Sequence, residues 1–143
     1  MARQTGFGDP SELTQVFATT RANRGWVAGA HDLMARSVLR FHDQAQQWRL
    51  ICRPEREAAI YLEVTPTTFA YRVDQYGGPV KMICGDPGLP SPAVTALANA
   101  ALHAEFGYPY EFVPGTGHLL QLEKPVACVE VMRRFLEERD VPF

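Results

Sequence analysis

Residues 110–125 read Y-E-F-V-P-G-T-G-H-L-L-Q-L-E-K-P. An apolar run ends in Pro-Gly-Thr-Gly, one histidine follows at His118, and Pro125 has the fixed backbone dihedral that suits the first turn of a helix. A strand that ends in a glycine-rich turn can present a histidine at the rim of a sheet. Because an imidazole gains and loses its proton near neutral pH, His118 is the candidate acid–base residue. The alternative is a structural histidine that closes a tight turn.

The residues before this stretch predict a parallel pair of strands joined by a helix. The apolar run 79–84 predicts a buried strand, and the loop Gly-Asp-Pro-Gly at 85–88 ends it. A helix that starts at Ser91 and ends before Gly107 leads to a second strand over 108–113. A strand, a helix and a second strand in this order give a parallel pair with a right-handed connection.

We expect the two helices of this half to pack through one apolar face each. On the helix before the second strand, the expected inward residues are Val94, Leu97, Ala98, Ala101, Leu102 and Phe106. The final helix would turn inward the residues Val129, Met132, Phe135 and Leu136.

The first 76 residues predict a mostly helical segment. Asp9, Pro10 and Glu12 form the pattern of a helix start, with Asp9 as the N-cap and Glu12 three residues later. A second amphipathic helix is expected over residues 30–41, and Pro54 opens a third. The expected inward residues are Leu13, Val16 and Phe17 on the first helix and Leu33, Met34, Val38 and Phe41 on the second.

Two segments of this half allow more than one structure. Residues 47–52 could form a short strand or an extended connector, and residues 65–75 could be extended or form a turn of helix. The expected organisation is a helical segment over 1–76 followed by a strand–helix–strand–helix segment over 77–143.

Composition and charge limit the classes of partner. The 143 residues fit one domain, and 46% apolar with 21% charged residues is ordinary for a soluble globular protein. The net charge of −2 comes from interspersed basic and acidic residues, so we expect no nucleic-acid partner and no anionic membrane surface. No apolar run approaches the roughly 20 residues that cross a bilayer, and the first residues lack the apolar core of a secretory signal. We expect a cytoplasmic protein without a membrane span.

The cysteines and the remaining histidines do not predict a metal centre. Cys52, Cys84 and Cys128 are odd in number and widely spaced, which disfavours both a disulfide framework and a zinc site. Cys84 and Cys128 lie in apolar runs and are expected to be buried free thiols. His31 and His42 have no carboxylate or cysteine at ligand spacing. We expect no metal and no cofactor.

The pattern as a whole resembles the C-terminal part of an α/β-hydrolase. The matching pieces are P-V-K-M-I-C-G-D, a helix, F-V-P-G-T-G-H-L-L-Q-L-E-K-P and a helix ending in R-R-F-L, over residues 79–139. Residues 1–76, with C-R-P-E-R-E-A-A-I-Y, resemble the helical cap of lipase- and epoxide-hydrolase-like members. The resemblance implies a partial α/β-hydrolase fold, with a cap segment followed by the last strands of the sheet.

The resemblance also implies roles for two side chains. His118 matches the catalytic histidine, which takes a proton from a nucleophile and gives it to a leaving group. Asp86 is the candidate acid that orients this histidine, although the family's acid more often lies where Gly88 and Leu89 stand here. The alternatives are that Asp86 closes an Asx-turn before Pro87, or that the acid comes from an earlier strand.

Two further polar residues are expected to be structural. Glu123 would accept hydrogen bonds from the first turn of the last helix, or pair with Lys124 or an arginine. His103 lies on the polar side of its helix and is expected to be solvated.

The nucleophile of the family does not occur in this sequence. Its motif is Gly-x-Ser-x-Gly, and none of the three serines, Ser11, Ser37 and Ser91, is flanked by glycines in this way. Because removing one triad member costs about 10⁴–10⁶ in turnover, we expect the isolated chain to be nearly inert. Two parallel strands also leave an unpaired edge, which predicts a homo-oligomer or a complementary hydrolase-half chain as the partner.

Three functions therefore remain open. The first is the histidine-bearing part of a hydrolase acting on a small apolar ester, lactone or epoxide. Trp26, Phe41 and Trp48 could then line the substrate pocket, with ordinary core packing as the alternative. The second is a non-catalytic, self-associating module that binds a small molecule, and the third is a truncated remnant.

Overall fold

Short strands and helices alternate along the chain. A computed structural model describes residues 4–64 and 76–140, apart from the side chains of residues 63 and 64. The elements are β1 Gly6–Phe7, α1 Pro10–Thr19, α2 Ala30–Val38, β2 Leu39–His42, β3 Gln47–Leu50, α3 Pro54–Val64, β4 Met82–Cys84, α4 Val94–Phe106, β5 Tyr110–Phe112, α5 Leu120–Glu123 and α6 Pro125–Glu137. No described helix is both long and apolar enough to cross a membrane.

These elements form two units. The first unit contains the chain up to Arg24 and the residues Ala28–Tyr76, and the second unit contains Gly25–Val27 and the chain from Gly77 onward. The functional division into a cap over 1–76 and a hydrolase core over 77–143 remains a prediction.

The first unit is built on a three-stranded antiparallel sheet in the order β1-β3-β2. Trp48 of β3 lies opposite Phe7 on one side and Phe41 on the other, and Leu50 lies opposite Leu39. Since side chains alternate along a strand, these residues share one face of the sheet. That face packs on the helices α1 and α2, and the core is formed by Phe7, Leu13, Ala35 and Leu39, flanked by Phe17, Val38, Trp48 and Leu50.

The predicted start of α1 is confirmed. Asp9 is the N-cap and its carboxylate accepts a hydrogen bond from the Ser11 amide at 2.8 Å. The Glu12 carboxylate reaches back to the amides of Gly8, at 2.9 Å, and Asp9, at 3.2 Å. The hydrogen bonds from Ser11 hold the pKa of Asp9 below its usual range. This reciprocal pattern provides acceptors for amides that the first turn of a helix leaves unpaired.

The prediction that residues 30–41 form one helix is wrong at its end. α2 stops at Val38, and Leu39–His42 form β2 of a hairpin. The reason is the alternation of large apolar and polar residues on both sides of the turn, which suits a sheet and overrides the helical period. Phe41 thus lies on β2 and is 45% exposed, and Leu33, which lies within α2 and was also expected inward, is 66% exposed. The strand alternative for residues 47–52 is correct over Gln47–Leu50, and residues 65–75 lie outside the described part of the chain.

The second unit contains the predicted parallel pair. β4 and β5 are parallel, with Met82 opposite Tyr110 and Cys84 opposite Phe112. The pair is extended by hydrogen bonds from the Met82 amide to the Pro109 carbonyl and from the Val113 amide to the Cys84 carbonyl, both 2.9 Å. Within residues 4–64 and 76–140, no third strand joins this sheet.

The inward faces of the two long helices differ from the prediction. On α4 the buried residue is Ala96, while Val94 is 82% exposed. On α6 the buried residues are Cys128 and Val131. The residues expected inward but found exposed are Val94, Leu97, Ala98, Ala101 and Phe106 on α4, and Val129 and Met132 on α6. α4 is apolar nearly all round, so the helical period does not select the face that packs. The apolar side of α6 is wide, and Cys128 and Val131 occupy only one part of it. As predicted, Cys84 and Cys128 are buried free thiols.

A charged cluster joins three elements of the second unit. Glu111, on β5, accepts a hydrogen bond from Lys81 at 2.7 Å and pairs with Arg134 of α6. Lys81 precedes β4 and its side chain is only 16% exposed. The hydrogen bond from Lys81 is the main cause that holds the pKa of Glu111 below its usual range.

We therefore expect Glu111→Gln to lower the free energy of unfolding by about 1 kcal/mol at neutral pH, because two cations lose their shared carboxylate. A carboxyl with a lowered folded-state pKa stabilises the fold above its unfolded pKa and loses this effect as the pH falls through the folded value. The difference between wild type and variant, measured by urea denaturation, should thus disappear in acid. Glu137→Gln, which breaks only an exposed pair with Arg133, is the matched control. Equal effects of the two variants, or a difference that persists in acid, would contradict this account.

Candidate active site

The two loops that follow β4 and β5 meet at one edge of the sheet. Because the strands are parallel, both loops leave at the carboxyl edge. The Asp86 amide donates to the Thr116 carbonyl at 2.9 Å, and the Asp86 carboxylate accepts from the Gly115 amide at 2.8 Å. The loop that carries the candidate acid and the loop that leads to His118 are therefore directly hydrogen-bonded.

Gly85 makes this contact possible. A Cβ atom at this position would overlap the carbonyl oxygen of Gly117 and lie 2.9 Å from that of Thr116. Both are backbone atoms, which cannot move aside as the end of a flexible side chain can. Only a glycine thus allows the first loop to approach the second this closely.

The turn before His118 is closed from inside. Thr116 is fully buried, and its hydroxyl donates to the Val113 carbonyl at 2.7 Å. Gly115 has a φ of 69°, in the left-handed region that glycine adopts without a steric cost. Gly115 and Thr116 of Pro-Gly-Thr-Gly therefore each have a structural reason.

The segment before α6 holds the same turn from outside. Both carboxylate oxygens of Glu123 accept from the Gly117 amide, at 2.9 and 3.0 Å. The Lys124 ammonium donates to the Pro114 carbonyl at 2.6 Å. Glu123 is structural, as predicted. The two kinds of partner expected for it, an amide in the first turn of the last helix or a basic side chain, are both wrong. Glu123 binds the residue directly before His118, and the reason is the short α5, which folds Glu123 back onto the turn.

His118 is exposed at this edge. Its Nδ1 atom lies 3.1 Å from the hydroxyl oxygen of Thr95, in the first turn of α4. Depending on the tautomer, the hydroxyl donates to Nδ1 or accepts from it. The described residues give Nε2 no hydrogen-bond partner, so this atom is accessible to a reacting group.

Asp86 lies on the same edge, but its hydrogen bonds go to the backbone. One carboxylate oxygen accepts from the Gly88 amide at 2.8 Å, which is the Asx-turn considered for this residue, and the other accepts from Gly115. These two backbone hydrogen bonds hold the pKa of Asp86 below its usual range. In the described part of the chain, no hydrogen bond joins Asp86 to His118. The triad role of Asp86 remains a prediction.

Sequence reasoning missed Thr95. The only signal was a hydroxyl residue in the first turn of the helix that follows the acid-bearing loop. In a parallel strand–helix–strand unit this turn begins near the carboxyl edge of the sheet, where the histidine loop also ends.

The other titratable residues have different environments. Burial raises the pKa of the Cys84 thiol, and the Asp86 carboxylate adds to this effect, which disfavours a reactive thiolate. His103 is exposed, as expected, and its ring also donates a hydrogen bond to the Tyr108 carbonyl at 2.7 Å and contacts the ring of Tyr110. Among residues 4–64 and 76–140, no group of three histidine, cysteine or carboxylate side chains is placed to hold a metal ion.

Comparisons with known proteins bear on the fold. No protein-family model matches the sequence, and a search of curated proteins found no match. Among solved structures, the crystal structure of E-2-(acetamidomethylene)succinate hydrolase matches with a TM-score of 0.67 and 18% sequence identity. The match covers 94% of this chain and 47% of that chain. The chain has part of an α/β-hydrolase fold. The predicted fold class is thus confirmed, and the chain spans about half the length of the solved structure that it matches.

We expect the Glu123 carboxylate to control the order of the histidine turn. Removing it in Glu123→Ala leaves the half-buried Gly117 amide without its acceptor, which costs about 1–3 kcal/mol locally. Hydrogen exchange at that amide, followed by NMR, should accelerate by about tenfold or more. Glu130→Ala, on the exposed side of α6, is the control and should leave the exchange rate unchanged. Unchanged exchange in Glu123→Ala would show that other contacts hold the turn.

Proposed function

We propose that this chain is the histidine-bearing portion of an α/β-hydrolase that acts on a small apolar ester, lactone or epoxide. The nucleophile would come from a segment or a partner chain outside this sequence, because no Gly-x-Ser-x-Gly occurs in the 143 residues. The observation that carries the proposal is the placement of His118. It lies at the carboxyl edge of a parallel strand pair, with Nδ1 engaged and Nε2 accessible.

In this proposal His118 is the general base. With its proton on Nδ1, donated to the Thr95 hydroxyl, the ring has a free lone pair on Nε2. Nε2 would take the proton of the incoming nucleophile and later return it to the leaving group. Glu123 and Lys124 support this step by holding the turn on which the ring is mounted.

Asp86 would assist only after a rearrangement, because no hydrogen bond joins it to His118 in the described residues. As an ionised carboxylate it could stabilise the imidazolium while still accepting from the amides of Gly88 and Gly115, since each of its oxygens has a second lone pair. The rearrangement would move the His118 ring away from the Thr95 hydroxyl. Thr95 orients the ring without supplying a negative charge, so catalysis with Thr95 alone should be weaker than with a carboxylate.

The exposed apolar surface of the second unit supports the inference that a partner completes the sheet. Val94 of α4 and Val129 of α6 are 82% and 61% exposed. The second unit also has a cavity of about 260 Å³, which is lined by Lys81, Ile83, Met132, Phe135 and Leu136. Parallel sheets occur almost only with both faces covered, so additional strands and helices would fit here. The reaction class is supported by the name of the solved structure, which is a hydrolase.

A second candidate is a non-catalytic, self-associating module that binds a small molecule. The observation that favours it is the absence, in the described residues, of a carboxylate hydrogen-bonded to His118. In that case the exposed apolar faces would pair between two copies of the chain. A truncated remnant without function is the third possibility that the sequence leaves open.

The direct test is hydrolysis of p-nitrophenyl acetate by the chain alone and by the complex isolated with it, whose subunits are identified by mass spectrometry. We expect the chain alone to be nearly inert. The complex should contain a polypeptide with the nucleophile motif. His118→Gln should lower the kcat of the complex by roughly 10⁴-fold or more and leave its subunit composition unchanged.

His103→Gln is the matched control, because His103 also lies in the second unit but binds the Tyr108 carbonyl. If activity survives in His118→Gln, His118 is not the general base and the proposed mechanism is wrong. A complex that contains only copies of this chain, with ligand binding unaffected by His118→Gln, would favour the binding module instead.

A further inference from the structure

A polar cavity lies wholly within the first unit. Its volume is about 580 Å³, and its wall is formed by β1, β3 and the start of α3. Ligand pockets in proteins typically measure about 300–1,000 Å³, so this cavity has room for a small metabolite. The charged residues in its lining are Arg49, Arg53 and Glu55.

Arg49 is held in place by a neighbouring side chain. When the Gln47 amide is oriented with its oxygen toward Arg49, that oxygen accepts from Nε at 2.9 Å and from Nη2 at 2.7 Å. Gly6, opposite Arg49 in the sheet, leaves the space that Gln47 occupies, because a Cβ atom at Gly6 would collide with the Gln47 side chain. Nη1 and the second N–H of Nη2 remain available for a ligand.

Among residues 4–64 and 76–140, no ion pair offsets the positive charge of the arginines at this place. Arg40 lies directly opposite Arg49 on the neighbouring strand, and like charges in this position destabilise a sheet. The Arg40 guanidinium donates to the carbonyl of Leu39, at 2.8 Å. In the described residues, no carboxylate forms an ion pair with Arg40, Arg49 or Arg53, and Glu55 is the one acidic residue in the cavity lining.

The geometry points to a binding site for a small oxyanion, a carboxylate or a phosphate group, held by Arg49 and Arg53. A guanidinium presents two parallel N–H groups that match two oxygens of such an anion. The anion would also offset the positive charges that Arg40 and Arg49 place at facing positions of the two strands. The site is independent of His118 and of the reaction proposed for it.

The test is an NMR titration of the full chain with inorganic phosphate and, separately, with malonate, at constant ionic strength. We expect saturable shifts at the backbone amides of Gly6, Arg49 and Arg53, while the amides of α4 and α6 stay unchanged. The anion that saturates at the lower concentration identifies the preferred group. If neither anion gives saturable shifts at these amides, the inference is wrong.

Two variants and one control test the role of the guanidinium. Arg49→Gln should weaken binding by about tenfold or more, and Arg49→Lys should also weaken it, because lysine keeps the charge but loses the paired donors. Arg56→Gln removes the same charge from α3 outside the cavity lining and should change the affinity by less than about twofold. Equal weakening by Arg49→Gln and Arg56→Gln would overturn the site, since it would show attraction by net charge alone. Because Arg49 is exposed, we expect its variants to fold. If a variant folds poorly, the titration of the wild-type chain still tests whether the anion binds.

Discussion

The candidate site depends on the contact between the loops after β4 and β5. The Asp86 amide and carboxylate bind the histidine loop at the Thr116 carbonyl and the Gly115 amide. The contact forms because Gly85 has no side chain to separate the two backbones. Parallel strands bring the loops to one edge, and these hydrogen bonds fix their relative position. Without them, the turn that presents His118 would keep only the hydrogen bond of the Thr116 hydroxyl to Val113 and the support of the segment before α6.

The same contact engages the candidate acid. The Asp86 carboxylate accepts hydrogen bonds from the amides of Gly88 and Gly115, and in the described residues no hydrogen bond joins it to His118. In this structure the ring is instead oriented by a hydroxyl, that of Thr95. The chain therefore has a well-supported histidine, a carboxylate with a structural task, and exposed apolar helix faces. This combination supports the proposal that the chain is one portion of a hydrolase.

Much of this arrangement could be predicted from local patterns. The capping box at Asp9 and the parallel pair β4–β5 follow from the type and spacing of the residues. The hairpin formed by β2 and β3 was missed, because its apolar residues also fit a helical period over a short window. The inward faces of α4 and α6 were missed because α4 is apolar nearly all round, and because the apolar side of α6 is wider than the part of it that packs. The partner of Glu123 lies six residues away across the turn made by α5, and the partner of His118 lies 23 residues away in α4, so neither follows from a helical or strand period.

The central claim is that the loops after β4 and β5 are joined by backbone hydrogen bonds that place His118 at the sheet edge. A scalar coupling across the hydrogen bond between the Asp86 amide nitrogen and the Thr116 carbonyl carbon measures this contact directly by NMR. We expect this coupling to be detectable, together with close contacts between Met82 and Tyr110 that indicate parallel pairing. Absence of the coupling, with an Asp86 amide that exchanges as fast as a solvent-exposed loop amide, would contradict the account.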